Sequence, residues 1–288
     1  GSPGGLVFAP DPGLFRHVFV FDFKSLYPSI IRTFNIDPRS NIATHGDSKA
    51  DTESPWIKAP NGATFTREPG ILPSLIETFH QSREQAKRDN DELASFTYKI
   101  IMNSFYGVLA TSSCRYASSN LAGAITEFGH HMLRWTKRKL EEKGLRVLYG
   151  DTDSVFIEAG LPNDLTETEA RSKGSELSDW INREITEYIQ SSWQVTSKLE
   201  LEFEKYYVRF FLPPMRGSED RGRAKGYAGL RSDQGKEHVE IVGMEAVRRD
   251  WTDLAHDLQR ELLDMMFRDA EPSEIEDRLV EWVNAVRD

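Results

Sequence analysis

Three aspartates are the residues best placed to do chemistry. Asp22 closes a short, almost unbroken apolar run, His17-Val18-Phe19-Val20-Phe21, while Asp151 and Asp153 flank Thr152 after Gly150. Residues two apart in extended chain share a face, and even in a turn Asp151 and Asp153 can point the same way. If the strand that ends at Asp22 lies beside that turn, three carboxylates converge at one end of a sheet. Like charges at close range raise each other's pKa, so such a cluster is costly by itself. Hard divalent cations resolve the cost, because Mg²⁺ binds through one or two carboxylates plus substrate phosphates. Two such ions roughly 3.5–4 Å apart activate an attacking oxygen and stabilise a leaving one in in-line phosphoryl transfer. Taken alone, Gly150-Asp151-Thr152-Asp153 is equally the composition of a plain turn.

A second set of residues carries positive charge at helical spacing. Arg83 lies seven residues after Ile76 and continues its stripe, with Lys87 at i+4 on the same face. Further on, Lys99, Asn103 and Tyr106 are spaced four and three apart, again on one face. Two antiparallel helices would present Arg83, Lys87 and Lys99 to one anion. A triphosphate suits them, with Arg offering a bidentate fork. The plainer alternative is a solvated basic face, with Glu84 pairing Arg88 at i+4.

The elements that must hold these groups follow from periodicity. His17–Phe21 has the pattern of a strand buried on both faces. From Asn35 to Gly70 the chain is rich in Pro, Gly, Asp, Ser and Thr, and reads as loop. Leu72, Leu75, Ile76 and Phe79 mark a helix that begins at Pro73 and runs to about Asp89. Asp89-Asn90-Asp91 is the turn to a second helix, from Glu92 to about Gly107. A third runs from about Leu121 to Lys143 and ends at Gly144, a good C-terminal cap. Leu145–Tyr149 and Ser154–Glu158 form a hairpin around Gly150–Asp153. Another helix lies between Thr166 and Ser191. Leu199, Leu201 and Phe203 alternate with glutamates in a half-buried strand, and Tyr207–Leu212 continues the β character. From about Asp250 the pattern returns to helix. This mixture lacks the regular alternation of a doubly wound sheet, so the expected class is α+β.

Composition bounds the rest. The chain has 288 residues, 39% of them hydrophobic and 28% charged, enough apolar material for a sizeable core in one large or two ordinary domains. No run approaches the ~18 apolar residues of a membrane span, and Gly1–Gly5 lack the basic and apolar stretches of a leader. The single cysteine, Cys114, excludes an internal disulfide and any multi-cysteine metal site. A net charge of −10 argues against a general polyanion binder. The imbalance is local, however. Trp251–Asp288 holds 11 acidic residues against four arginines, whereas Arg209–Lys225 holds five basic against two acidic residues. The histidines, His130-His131 included, show no metal-binding spacing.

Three ordered motifs then carry a resemblance. Asp22-Phe23-Lys24-Ser25-Leu26-Tyr27-Pro28-Ser29-Ile30-Ile31, Lys99-Ile100-Ile101-Met102-Asn103-Ser104-Phe105-Tyr106-Gly107 and Tyr149-Gly150-Asp151-Thr152-Asp153-Ser154 resemble motifs A, B and C of the family B DNA polymerases. Ser2-Pro3-Gly4-Gly5, Ile31–Phe34 with Ile36-Asp37-Pro38, Tyr227-Ala228-Gly229-Leu230 and Gly243–Trp251 resemble the bacterial type II branch of that family. The similarity extends from about residue 2 to the C-terminus.

The resemblance implies an antiparallel-sheet palm with an inserted two-helix fingers subdomain and a helical start of the thumb. The expected division is palm 1–68, fingers 69–112, palm 113–250 and thumb start 251–288. It implies template-directed transfer of a nucleotide from a dNTP to a primer 3′-hydroxyl. Asp22, Asp151 and Asp153 would be catalytic, and Asp22, Asp153 and the Phe23 carbonyl would hold two Mg²⁺ ions, with Mn²⁺ a candidate substitute. Ser25, Leu26, Tyr27, Arg83, Lys87, Lys99, Asn103 and Tyr106 would bind the nucleotide, and Tyr27 would disfavour a 2′-hydroxyl. Gly107, Lys225 and Tyr227 would meet DNA, although Ala224 stands where the family pattern has a lysine, with Arg221 or Arg223 the candidate substitutes. Partners implied are primer-template DNA, dNTP, exonuclease and thumb regions of a longer parent chain and, as a candidate, a sliding clamp. No membrane partner and no proofreading motif are expected, and the implied setting is the bacterial cytoplasm, at the nucleoid. The alternative is that this chain alone is a non-catalytic dNTP- or DNA-binding fragment.

Overall fold

A strand with three phenylalanines on one side and valines on the other has to sit mid-sheet, and β1 (Gly13–Phe23) does. In the computed structural model, which describes residues 11–42, 56–110, 119–214, 226–243 and 253–287, it is flanked on both edges. The sheet has the order β5-β6-β1-β7-β8-β9 and every pairing is antiparallel. The other strands are β5 (Arg146–Gly150), β6 (Ser154–Glu158), β7 (Leu201–Leu212), β8 (Tyr227–Asp233) and β9 (Lys236–Val242). The α+β expectation therefore holds.

Phe19, Phe21 and Phe23 point into the main core, where they join Ile30 and Phe34 of α1 (Leu26–Phe34), Phe128 and Met132 of α4 (Ser119–Glu142) and Ile181 and Ile185 of α5 (Glu167–Trp193). Phe34 and Phe128 stack with centroids 3.7 Å apart. Each such fully buried side chain contributes about 1.5–3 kcal/mol. Val18 and Val20 pack on the opposite face in a second cluster with Tyr149, Phe156, Tyr207 and Phe210. By parity Asp22 shares that face. Thr166 caps α5 through a reciprocal box with Glu169, and Gly144, at φ 87°, closes α4.

Several elements lie beyond the periodicity reading. Helix α1 follows Asp22 within three residues; its Leu26, Ile30, Ile31 and Phe34 are buried on one stripe. Within the stretch expected as loop, short strands β2 (Asn41–Ile42), β3 (Ile57–Lys58) and β4 (Thr64–Phe65) form a small separate sheet. The β8–β9 hairpin turns at Gln234 and Gly235, both at positive φ as a tight hairpin requires. The C-terminal helical region is two helices, α6 (Asp253–Phe267) and α7 (Pro272–Arg287). Ser2–Gly5, Cys114, Ala224, Lys225, Arg221, Arg223 and Met244–Trp251 lie outside the described residues.

The helix pair is anchored by Asn35 and Asp37. α2 (Ile71–Arg88) and α3 (Glu92–Ala110) join through Asp89–Asp91 as expected. Asn35 ends α1 in the left-handed region, φ 54°. Its Nδ2 donates to the carbonyls of Thr66 and Glu68 at 2.7 and 2.6 Å, and its Oδ1 accepts from the Gly70 amide at 2.8 Å. Asp37 Oδ1 accepts from the Leu72 amide at 2.8 Å, supplying an acceptor for a free amide of the first turn of α2. Gly70 is tight here, since a Cβ would lie 2.6 Å from that of Asp37. Asn35→Ala removes these three hydrogen bonds and a fourth, from Nδ2 to Ser40 Oγ at 3.3 Å, at a left-handed position, and is expected to cost about 3 kcal/mol. Urea unfolding checks this: a midpoint unchanged from the parent would remove Asn35 as the anchor of α2.

Candidate active site

The carboxylates of Asp22 and Asp153 meet because β1 pairs with β6. Asp22 lies opposite Ser154, and the next amide, of Phe23, donates to the Asp153 carbonyl at 2.9 Å. On the other edge the Lys24 amide donates to the Glu200 carbonyl at 2.9 Å. Consecutive amides thus tie the end of β1 to both neighbours. Burial pushes the Asp22 carboxyl up to about 8; the Asp153 charge, a hydrogen bond with Asp153, and the charges of Glu204 and Glu202 add to it. Asp151 sits in the same turn, where its Oδ1 accepts from the Thr152 amide at 2.7 Å. Its charge also helps raise the Tyr149 and Tyr227 hydroxyls, after burial.

Glu202 and Glu204 escaped the sequence reading, which saw them only as the polar side of a strand. Glu202 is the register partner of Asp22 on β7. Pairing then jumps from Phe21 with Phe203 to Val20 with Lys205, so Glu204 is the extra residue of a β-bulge. The bulge resets the alternation, which is how Phe203 and Tyr206, three apart in sequence, both face the main core, while Tyr207 turns to the second one.

Beyond Asp22 the chain turns in two residues into α1, with Ser25 at φ 44°, ψ 61°. A left-handed serine is a strained choice that the surrounding contacts must hold. Ser25 Oγ faces Arg83 of α2, whose Nη1 lies 3.4 Å away, and the Arg83 Nε is buried without a hydrogen-bond partner. Lys24, Ser25, Arg83, Lys87 and Met102 share a cavity of about 200 Å³. Lys87 also contacts Glu84 at 3.2 Å. Lys99 and Asn103 are exposed on α3 and do not line this cavity, so the three expected cations are brought together only as far as Arg83 and Lys87.

Tyr27 and Tyr106 form a second wall. Their rings are 4.4 Å apart at 35°, and the Tyr106 hydroxyl is 3.1 Å from Thr126 Oγ1 of α4. The Tyr27 hydroxyl is raised by burial, then by Tyr106 and by the charge of Asp153. Leu26 is buried in the main core and Gly107 is exposed on α3. Tyr227 packs among Tyr149, Phe156 and Phe210 on β8, its hydroxyl pushed up to about 12 chiefly by burial.

Oxygen donors from two carboxylates are the number Mg²⁺ takes from protein when substrate phosphates supply the remainder. The Asp22–Asp153 pair fits that ion. Among the described residues no group of three or more His, Cys, Asp or Glu forms a fuller metal site, and no helix is long and apolar enough to cross a membrane.

Comparison with known proteins identifies the family. The family model described as DNA polymerase family B matches residues 2–288. The chain belongs to DNA polymerase family B. It is 43% identical over 267 residues to DNA polymerase II of Escherichia coli K12, an alignment covering 93% of this chain and 33% of that protein. It is 31% identical over 284 residues to a DNA polymerase of Thermococcus gorgonarius, covering 94% of this chain and 33% of the other. A solved family B DNA polymerase from Pyrobaculum calidifontis shares the fold, with a TM-score of 0.64 at 24% identity over 98% of this chain and 34% of that one. The chain thus spans about a third of the length of these relatives.

The raised carboxyl has a consequence for this family B chain without metal. An ionised Asp22 destabilises the fold, so stability should be full below the unfolded carboxyl pKa near 4 and decline as pH rises to about 8. Asp22→Asn removes that decline. The difference in melting temperature between the two proteins, in EDTA, is expected to be near zero at pH 4 and a few degrees in favour of the variant at pH 8. A constant difference across that range would contradict the raised pKa.

Proposed function

We propose that this chain carries the nucleotidyl-transfer centre of a template-directed DNA polymerase. Residues 1–68 and 113–250 act as palm, 69–112 as fingers and 251–288 as the start of the thumb. The observation that carries the reading is the Asp22–Asp153 carboxylate pair, three residues along the chain from a turn that meets the cation-bearing helix α2. A primer 3′-hydroxyl attacks the α-phosphorus of a dNTP and pyrophosphate leaves. Divalent ions, Mg²⁺ or Mn²⁺, supply the charge neutralisation that this in-line displacement requires.

Each residue has a share. Asp22, Asp153 and the Phe23 carbonyl hold the ions, while Asp151 adds charge at the same turn. Backbone amides at Ser25 and Leu26, with Arg83 and Lys87, receive the triphosphate. Lys99 and Asn103, on the exposed face of α3, add to the nucleotide contacts. Tyr27, braced by Tyr106, forms the floor under the deoxyribose, and a 2′-hydroxyl would collide with that ring. Gly107, Lys225 and Tyr227 serve the duplex, which they position rather than read. Primer-template DNA and dNTP are thus the partners, with the longer relatives' remaining regions, and a sliding clamp, acting beyond this chain.

Primer extension at low salt with Mg²⁺ and four dNTPs tests the reading. Asp153→Ala is expected to lower the rate by on the order of 10³-fold. Equal extension by both proteins would remove the carboxylates from the mechanism. Absence of extension by either would favour a dNTP- or DNA-binding role for the isolated chain. Tyr27→Ala should lower discrimination against ribonucleotides by about 10–100-fold in single-nucleotide incorporation; unchanged discrimination would remove Tyr27 from the sugar site.

A further inference from the structure

The cavity beside Ser25 has a wall that the nucleotide reading does not use. It is built by Arg32 of α1, His80 of α2, and Lys198 and Glu200 of the segment leading into β7. Most cations here are already neutralised. Arg32 pairs with Glu77 at 2.6 Å, Lys24 with Glu200 at 3.2 Å and Lys87 with Glu84 at 3.2 Å. Among the described residues, Arg83 and Lys198 have no carboxylate at ion-pair distance. The Lys198 backbone is fixed, since its amide donates to Thr33 Oγ1 at 2.9 Å. His80 is held toward its neutral form, first by burial and then by Arg32, so it adds hydrogen-bonding capacity rather than charge.

Size and position narrow the ligand. About 200 Å³ is below the roughly 300–1,000 Å³ of sites that enclose a whole drug-sized molecule. It suits a small, compact anion, not a base with its sugar. Ser25 follows Asp22 by three residues, so their α-carbons are at most about 11 Å apart. The cavity therefore lies where the terminal phosphates of a triphosphate reacting at Asp22 would reach.

We propose that this cavity takes up the pyrophosphate product, with Lys198 receiving it on the β7 side while Arg83 still holds it on the α2 side. The inference rests on the nucleotidyl-transfer reading, which supplies pyrophosphate as leaving group. Lys198 positions a departing product and touches no bond that forms or breaks.

Titration calorimetry with inorganic pyrophosphate, on the 288-residue chain without metal, tests it. Lys198→Ala should weaken binding about ten-fold, the loss of one charge-assisted contact, and Lys198→Arg should restore most of it. In primer extension, inhibition by added pyrophosphate should weaken in Lys198→Ala by the same factor. Undiminished binding by Lys198→Ala overturns the proposal, as does sulfate competing as well as pyrophosphate. Equal loss in Lys198→Arg with a lowered unfolding midpoint assigns Lys198 a structural role and also overturns it. Extension by the parent without Lys198-dependent binding sinks the cavity assignment alone. Lys198-dependent binding in a chain where parent and Asp153→Ala extend equally sinks the polymerase reading alone.

Discussion

The antiparallel register of β1 with β6 sets Asp22 opposite Ser154 and so brings its carboxylate against that of Asp153. Neither side chain can retreat cheaply. β1 is the third strand of six, with both edges paired, and the amides of Phe23 and Lys24 are committed to Asp153 and Glu200. Phe19, Phe21 and Phe23 lock the opposite face into the main core. Several well-buried aromatic side chains, each worth about 1.5–3 kcal/mol, thus hold in place an electrostatic arrangement that opposes folding. Glu202 and Glu204, brought close by β7 and its bulge, sharpen the demand for a cation.

The cationic side of the site is held by different means. α2 packs on α1 and α3 and is fixed at its start by Asn35 and Asp37, through side-chain hydrogen bonds to backbone around Gly70. That anchoring leaves the far ends of α2 and α3 exposed, with Leu93, Phe96 and Ile100 facing solvent. The carboxylate side, by contrast, is built into the sheet. Under the proposed function, the sheet carries the reacting centre and the helix pair carries the phosphate-binding cations.

Much of this was legible in the sequence. β1, the β5–β6 hairpin, α2, α3, α4 and α5 were all read from short apolar runs or helical spacing, with Gly144 marking the end of α4, whereas the Thr166 capping box of α5 shows only in the structure. α1 was hidden by its length, only nine residues with Pro28 inside, and no element was read between Asp22 and Asn35. Its signal was the spacing of Leu26, Ile30, Ile31 and Phe34. The β8–β9 hairpin had a signal too, Gly235 followed by alternation through Val239 and Ile241, but seven-residue strands with exposed outer positions give it weakly. The bulge at Glu204 had none, because one extra residue leaves no trace in composition. The site shows the same division: the identity of the three aspartates and of Arg83 and Lys87 was readable, whereas the closeness of Asp22 to Asp153, the part of Glu204 and the cavity at Lys198 depend on register and packing between distant segments.

Asp22 and Asp153 form a pair that cannot hold two negative charges unaided. Carboxyl-carbon NMR of aspartate-labelled protein, titrated with and without Mg²⁺, reads it directly. Without metal, one aspartate assigned through Asp22→Asn should titrate at about 8, and saturating Mg²⁺ should return it to the ordinary carboxylate range. An Asp22 that titrates near 4 without metal, or a raised value indifferent to Mg²⁺, would contradict the account.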